Sequence, residues 1–212
     1  MKNLKPLISC ILLICCSISQ AQTRLAVKGG FNYSTARAYY NSVKQSTGYV
    51  AGANFRIQAE TIFEGRLYFT PSISYNSRGY VIRADSNRND ENRSIIHYGS
   101  IAPLLSFHFG DPGKSLFLTA GPILGVAISG REKIKVNNIT ATSKMKFTTT
   151  SEYGLFDLGL YGALGYKIKA ISVEAGYYFG FASINNNEEL DKRNIRNRSF
   201  NITLGYYFKT YK

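Results

Sequence analysis

The residues best suited to chemistry cluster around His97, with Glu91, Ser94 and Ser100 close by in sequence. A hydroxyl, an imidazole and a carboxylate are the parts of nucleophilic hydrolysis: the imidazole takes the hydroxyl proton and the acid orients the ring. The other histidine, His108, lies beside the turn signal GDPGK at 110–114. Asp85, Asp90 and Glu91 could touch Ca²⁺, but they lack the spacing of a calcium loop. All three cysteines (Cys10, Cys15, Cys16) fall near the N-terminus, so the rest of the chain has neither a thiol nucleophile nor a thiolate ligand. Two histidines without cysteine make a poor transition-metal set. No cofactor is expected. The main reading is a protein that is not an enzyme, with a hydrolase at the rim of the fold as an alternative.

The elements that would position these residues emerge from hydropathy. Residues 1–21 read as a secretory signal peptide: Lys2 and Lys5, then an apolar run from Leu7 to Cys16, then the small residues Ser19 and Ala21. Cleavage after Ala21 leaves one domain, 22–212. No later apolar run is long enough for a membrane helix. The remainder of the chain alternates with period two instead. The alternation recurs at 24–34, 49–60, 66–77, 95–110, 115–130, 152–168, 171–183 and 199–208, which predicts eight strands. Each is long enough to cross a bilayer at a tilt. Short polar connections at 60–65, 110–114 and 168–170 alternate with long ones at 35–48, 78–94, 131–152 and 184–198. This layout predicts an all-β fold: an eight-stranded, antiparallel, up-and-down transmembrane barrel. A further hairpin at 78–85 or 131–150 would make ten strands. Pro71, Pro103 and Pro122 fall inside strands and are expected at bulges.

The stretch EYGLFDLGLYGALGYKI shows what each face meets. Phe156, Leu158, Leu160, Leu164 and Tyr166 share one side, while Asp157, Gly159, Tyr161, Ala163 and Lys167 share the other. The first side suits lipid and the second a lumen. Across the strands the lumen would receive a mixed-sign charge network of Lys28, Arg56, Arg66, Asp157, Lys167 and Glu174, with Glu174 and Asp157 paired to Lys28 or Arg56. Tyr68, Tyr98, Tyr161, Tyr178 and Tyr207 would fill much of the remaining space, so no open pore is expected. Aromatic residues near both strand ends, such as Tyr33, Tyr49 and Phe200 at one end and Phe107, Tyr166 and Phe208 at the other, suit two interfacial girdles.

The net charge is +13 at pH 7, of which Lys2 and Lys5 supply only two. Much of the excess lies in the long connections. Arg131, Lys133, Lys135, Lys192, Arg193, Arg196 and Arg198 form a candidate anion-binding set there. The expected partners are outer-membrane lipid and lipopolysaccharide, and an envelope protein, not nucleic acid.

Three stretches together resemble the PorT-like outer-membrane β-barrel family of Bacteroidetes-type bacteria. They are AVKGGFNYS at 26–34, IAPLLSFHFGDPGKSLFLTAGPILGVAIS at 101–129, and LGLYGALGYKI with SVEAGYYFGFASI, closed by a final LGYYF. The chain departs from the family in ending KTYK where an aromatic is usual. The resemblance implies an outer-membrane barrel and carries no catalytic motif, and the alternation of short and long connections places both chain ends in the periplasm. Members linked to secretion and gliding make such a role an alternative. The leading expectation is a structural, adhesive or partner-binding barrel acting through basic extracellular loops. A soluble periplasmic lipid-binding barrel is a further alternative.

Overall fold

The structure is a computed structural model of the 212-residue chain, and it describes residues 23–84, 87–111, 113–136, 139–148, 153–186 and 192–208. The signal peptide expected at 1–21 lies outside them.

The predicted alternation is realised as strands. In chain order they are β1 (Thr23–Tyr40), β2 (Val43–Lys44), β3 (Thr47–Glu64), β4 (Leu67–Ala84), β5 (Asn87–Asp111), β6 (Lys114–Val136) and β7 (Ile139–Lys144). Then come β8 (Phe147–Thr148), β9 (Tyr153–Gly154), β10 (Phe156–Ile168), β11 (Ile171–Gly180) and β12 (Arg193–Tyr207). Pairing runs β10-β11-β12-β1-β3-β4-β5-β6, and β6 pairs back onto β10, so eight antiparallel strands close a barrel. The first and last of these strands meet along a seam, where Ala26 faces Tyr207 and Arg37 faces Arg196. β2 folds onto β1 and β7 onto β6, which brings the sheet to ten strands.

Closure sorts the side chains. Along β10 the pattern alternates strictly, with Phe156, Leu158 and Leu160 outward and Asp157, Gly159 and Tyr161 inward. The outward faces form an apolar wall that includes Phe31, Ile73, Ile202 and Leu204, all exposed. The barrel is narrow, and inward glycines make room for inward rings. A Cβ on Gly165 would run into the Phe117 ring, and one on Gly176 into the Tyr161 hydroxyl. The first and last described residues, Thr23 and Phe208, share one end of the barrel with the short turns. Gly65 there takes φ 54° and Gly110 φ 106°, which suits glycine.

Two expectations need correction. Much of the four long connections is strand, because β1, β4, β5, β6 and β12 run on past the apolar wall. The register shifts lie elsewhere than at the prolines. Pro71 faces Pro103 in register, and pairing is merely interrupted where each lacks an N–H toward its other neighbour. One shift does alter which side of the wall the rim residues occupy. His97 of β5 faces Ser129 of β6 while Tyr98 faces Ala127, so Ile128 is an extra residue and the inside-outside parity inverts beyond it.

Candidate functional site

The lumen is filled in tiers. Nearest the short-turn end, Arg24 pairs with Glu60. The Glu60 carboxylate also lies 3.9 Å from Lys167 Nζ and 3.9 Å from His108 Nε2. Tyr207 sits under the cations, with Lys167 Nζ 5.1 Å from its ring and Arg24 5.5 Å. In the next tier Glu174 accepts from Lys28 Nζ at 2.5 Å, Arg56 Nη1 at 3.0 Å and the Tyr161 hydroxyl at 2.6 Å. The third tier centres on Asp157. Its Oδ2 accepts from Arg78 Nη1 at 2.8 Å and Asn197 Nδ2 at 2.9 Å, and the Arg78 guanidinium lies 3.7 Å from the Tyr178 ring centre.

Every one of these charges is buried. Charge removed from water is tolerated only where a partner compensates its desolvation, and each carboxylate here has at least one cation within ion-pair reach.

Above the third tier the lumen turns apolar. Met145 and Ile184, with half-buried Phe147 and Tyr153, fold over the long-loop mouth and pack on Ala36, Ala38, Tyr80, Ile96, Ala127 and Ile195. Gly130 lets them in: a Cβ there would lie 2.7 Å from Phe147 and 2.9 Å from Met145. Burial, reinforced by the neighbouring Glu132, pushes the Tyr153 phenol above its ordinary range. The barrel is thus ion-paired through its three lower tiers and stoppered by apolar side chains at the long-loop end.

Of the six residues expected in the lumen network, Lys28, Arg56, Asp157, Lys167 and Glu174 face inward and are buried. Arg66 does not join them. It lies exposed in the tight turn between β3 and β4, where the strand that would have turned it inward has not begun. Glu174 takes both Lys28 and Arg56, which leaves Asp157 to Arg78, a residue that the sequence places in a loop. Arg24 and Glu60 were also missed, although each continues the inward parity of a strand already recognised.

The hydrolytic set of the alternative reading is not assembled. His97 points outward with Nδ1 2.6 Å from the Tyr75 hydroxyl, whereas Ser94 and Ser100 are buried on the lumen face. The barrel wall separates them. Among the described residues no group of three or more His, Cys, Asp or Glu could hold a metal. Asp85 and the Asp90 side chain lie outside the described residues.

The basic set divides in two. Arg131, Lys133 and Lys135 belong to β6, beyond the parity inversion, and so face outward with Arg93 across the β5–β6 ladder. Lys144 of β7 stands directly opposite Arg131 on the same face. β5, β6 and β7 thereby form a wing above the apolar wall, basic on its outer face; Glu91 faces Lys135 there. The other face of the β6–β7 hairpin carries Ile134, Val136 and Ile139, all exposed. Arg193, Arg196 and Arg198 lie on β12, with Lys192 just before it, half a circumference away at the closing seam. These residues belong to strand extensions, with only Lys192 outside a strand.

The family model described as "Outer membrane protein beta-barrel domain" matches residues 19–186, and the chain belongs to that family. Its wall therefore faces the lipid of the outer membrane. Solved structures similar in outline include neisserial surface protein A (14% identity, TM-score 0.43, covering 87% of this chain and 97% of that one). The attachment invasion locus protein Ail of Yersinia pestis is another (12%, 0.44, 87% and 98%). OprG of Pseudomonas aeruginosa is a third (11%, 0.48, 90% and 98%). No curated protein matches the sequence.

Proposed function

We propose that this outer-membrane barrel is a sealed anchor, and that its work is recognition by the basic β5–β6–β7 wing. The observation that carries the reading is the contrast in charge placement. Each buried carboxylate is paired with a cation inside the wall, while Arg93, Arg131, Lys133, Lys135 and Lys144 gather on one solvent-facing surface. Arg131 opposite Lys144 is a like-charge pair that costs stability, so it is better explained by a ligand than by the fold. β7 is an edge strand, and its far side pairs with no strand among the described residues. An extended acidic segment of a protein partner would add to that edge through main-chain hydrogen bonds and meet the basic face with its side chains.

On this reading residues 1–21 direct export and are removed, both mature ends face the periplasm, and the wing is extracellular. The resemblance to PorT-like barrels supports a second reading, a component of an envelope complex whose protein partner is the acidic ligand.

The test uses the full mature protein in proteoliposomes over immobilised poly-glutamate. Binding that weakens steeply with salt and is lost in Lys133→Gln/Lys135→Gln is expected. Wild-type protein that fails to bind, or a variant that binds as well, contradicts the wing as the recognition surface. Intact mass of the outer-membrane protein checks export, with Gln22 expected at its N-terminus.

A further inference from the structure

A second exposed cationic site lies on the opposite wall, at the seam where the first and last barrel strands close. It rests on the outer-membrane placement alone and is independent of the wing. Here Arg37 of β1 faces Arg196 of β12 across the ladder, both outward and exposed. Each Nε is held by its own strand: Arg37 donates to the Tyr39 hydroxyl at 2.6 Å, and Arg196 to Asn194 Oδ1 at 2.9 Å. Neither makes an ion pair with a described residue. Together with Lys192 they line an open groove of about 500 Å³. Its floor is shaped by the tight β1–β2 turn, in which Asn41 and Ser42 both take positive φ (45° and 66°).

The height of this groove selects its occupant. Two outward positions below Arg37, Tyr33 stacks on Tyr49 with ring centres 4.6 Å apart. Two outward positions below Arg196 is Phe200, and below it Ile202 and Leu204 continue the apolar wall. Between these levels Arg198 lies flat on Phe179, 3.5 Å from the ring centre, and donates to the Gly180 and Asn197 carbonyls at 2.6 and 2.8 Å. Four residues of strand rise ~13 Å, or ~10 Å along the membrane normal at a tilt of about 40°. The arginine pair therefore stands roughly one headgroup above the aromatic girdle, at the level of lipid phosphate. A soluble anion would use only the cations. An amphiphile would use the cations and the unbroken apolar wall beneath them.

We propose that the β1–β12 groove binds the phosphate of an outer-leaflet glycolipid, the headgroup chemistry of lipid A, with the acyl chains lying on the wall below. Guanidinium pairs suit phosphate because each presents a planar fork of donors. A bound phosphate would also neutralise two cations that face each other across the seam.

The experiment measures thermal unfolding of the full mature protein in mixed micelles. The probes are lipid A, dephosphorylated lipid A and inorganic phosphate. Lipid A is expected to raise the unfolding midpoint, the other two to leave it unchanged, and Arg37→Gln/Arg196→Gln to weaken the lipid A effect at least tenfold. Lys133→Gln/Lys135→Gln on the far wall should retain it. An equal shift with inorganic phosphate would make this a free-anion site and overturn the proposal. So would an undiminished lipid A shift in the arginine variant, or an absent shift in wild type. Should that variant fail to fold, a photo-crosslinking residue at Asn194 in the otherwise native protein decides. Capture of lipid A from Asn194 and not from Thr142 supports the site, and equal capture or none at Asn194 overturns it.

Discussion

The inside and the rim of this barrel handle charge in opposite ways. Glu174 in the lumen holds Lys28, Arg56 and Tyr161 at once, and Asp157 holds Arg78 and Asn197. At the rim, Arg37 faces Arg196 and Arg131 faces Lys144 with no acid between them. A buried charge far from any counter-charge is costly, so each lumen carboxylate sits against at least one cation, and these sets contribute to holding the staves together. A solvated charge needs no partner, so a like-charge pair at the rim is free to await an external one. Charge alone says little about role in such a barrel; charge together with the side of the wall says much.

The largest expected effect comes from breaking the lumen. Glu174→Ala strands Lys28 and Arg56 inside the wall and should destabilise the barrel by about 3–5 kcal/mol, read as a lower urea midpoint for loss of the heat-modifiable band. Gly176→Leu tests the packing instead of the charge. Its side chain would drive into Tyr161, at a cost of roughly 1–3 kcal/mol or a failure to close. Asp157→Asn keeps an acceptor for Arg78 and Asn197 but removes the charge, so about 1–3 kcal/mol is expected by the same assay. At the bottom of the scale, Arg37→Gln/Arg196→Gln in lipid-free detergent should leave the urea midpoint unchanged or slightly higher, since a like-charge pair is relieved. A rim variant as damaging as Glu174→Ala would erase the distinction between the two regions.

Which residues face inward was largely legible in the sequence. Two-residue alternation placed Lys28, Arg56, Asp157, Lys167 and Glu174 on the lumen face, because a buried stave cannot slip by one residue without turning its whole apolar set inside out. The same count already reaches Arg24 and Glu60 at the ends of the expected strands 24–34 and 49–60, and carried one residue past 66–77 it reaches Arg78. Arg78 is lost because hydropathy falls before its strand ends, and barrel strands continue above the membrane in polar sequence. Arg66 was gained wrongly for the converse reason, since parity carries no meaning in a turn.

Partners were legible only in part: Glu174 does take Lys28 and Arg56, but Asp157 takes Arg78. Whether Glu174 meets Lys28 or Asp157 does depends on the stagger between strands distant in sequence, which no local pattern encodes. Nor does composition announce the extra residue at Ile128, though it decides that Arg131, Lys133 and Lys135 face outward. In sequence the rim set is two runs of cations in separate long connections; the topology places them on opposite walls.

The central claim is that the lumen is sealed and the work is done outside it. Conductance of the full mature protein in planar bilayers tests this most directly. With the tiers of Glu60, Glu174 and Asp157 in place beneath the Met145 and Phe147 stopper, no sustained current steps are expected. Stable ohmic steps from wild-type protein would show an open path through those tiers and contradict the account.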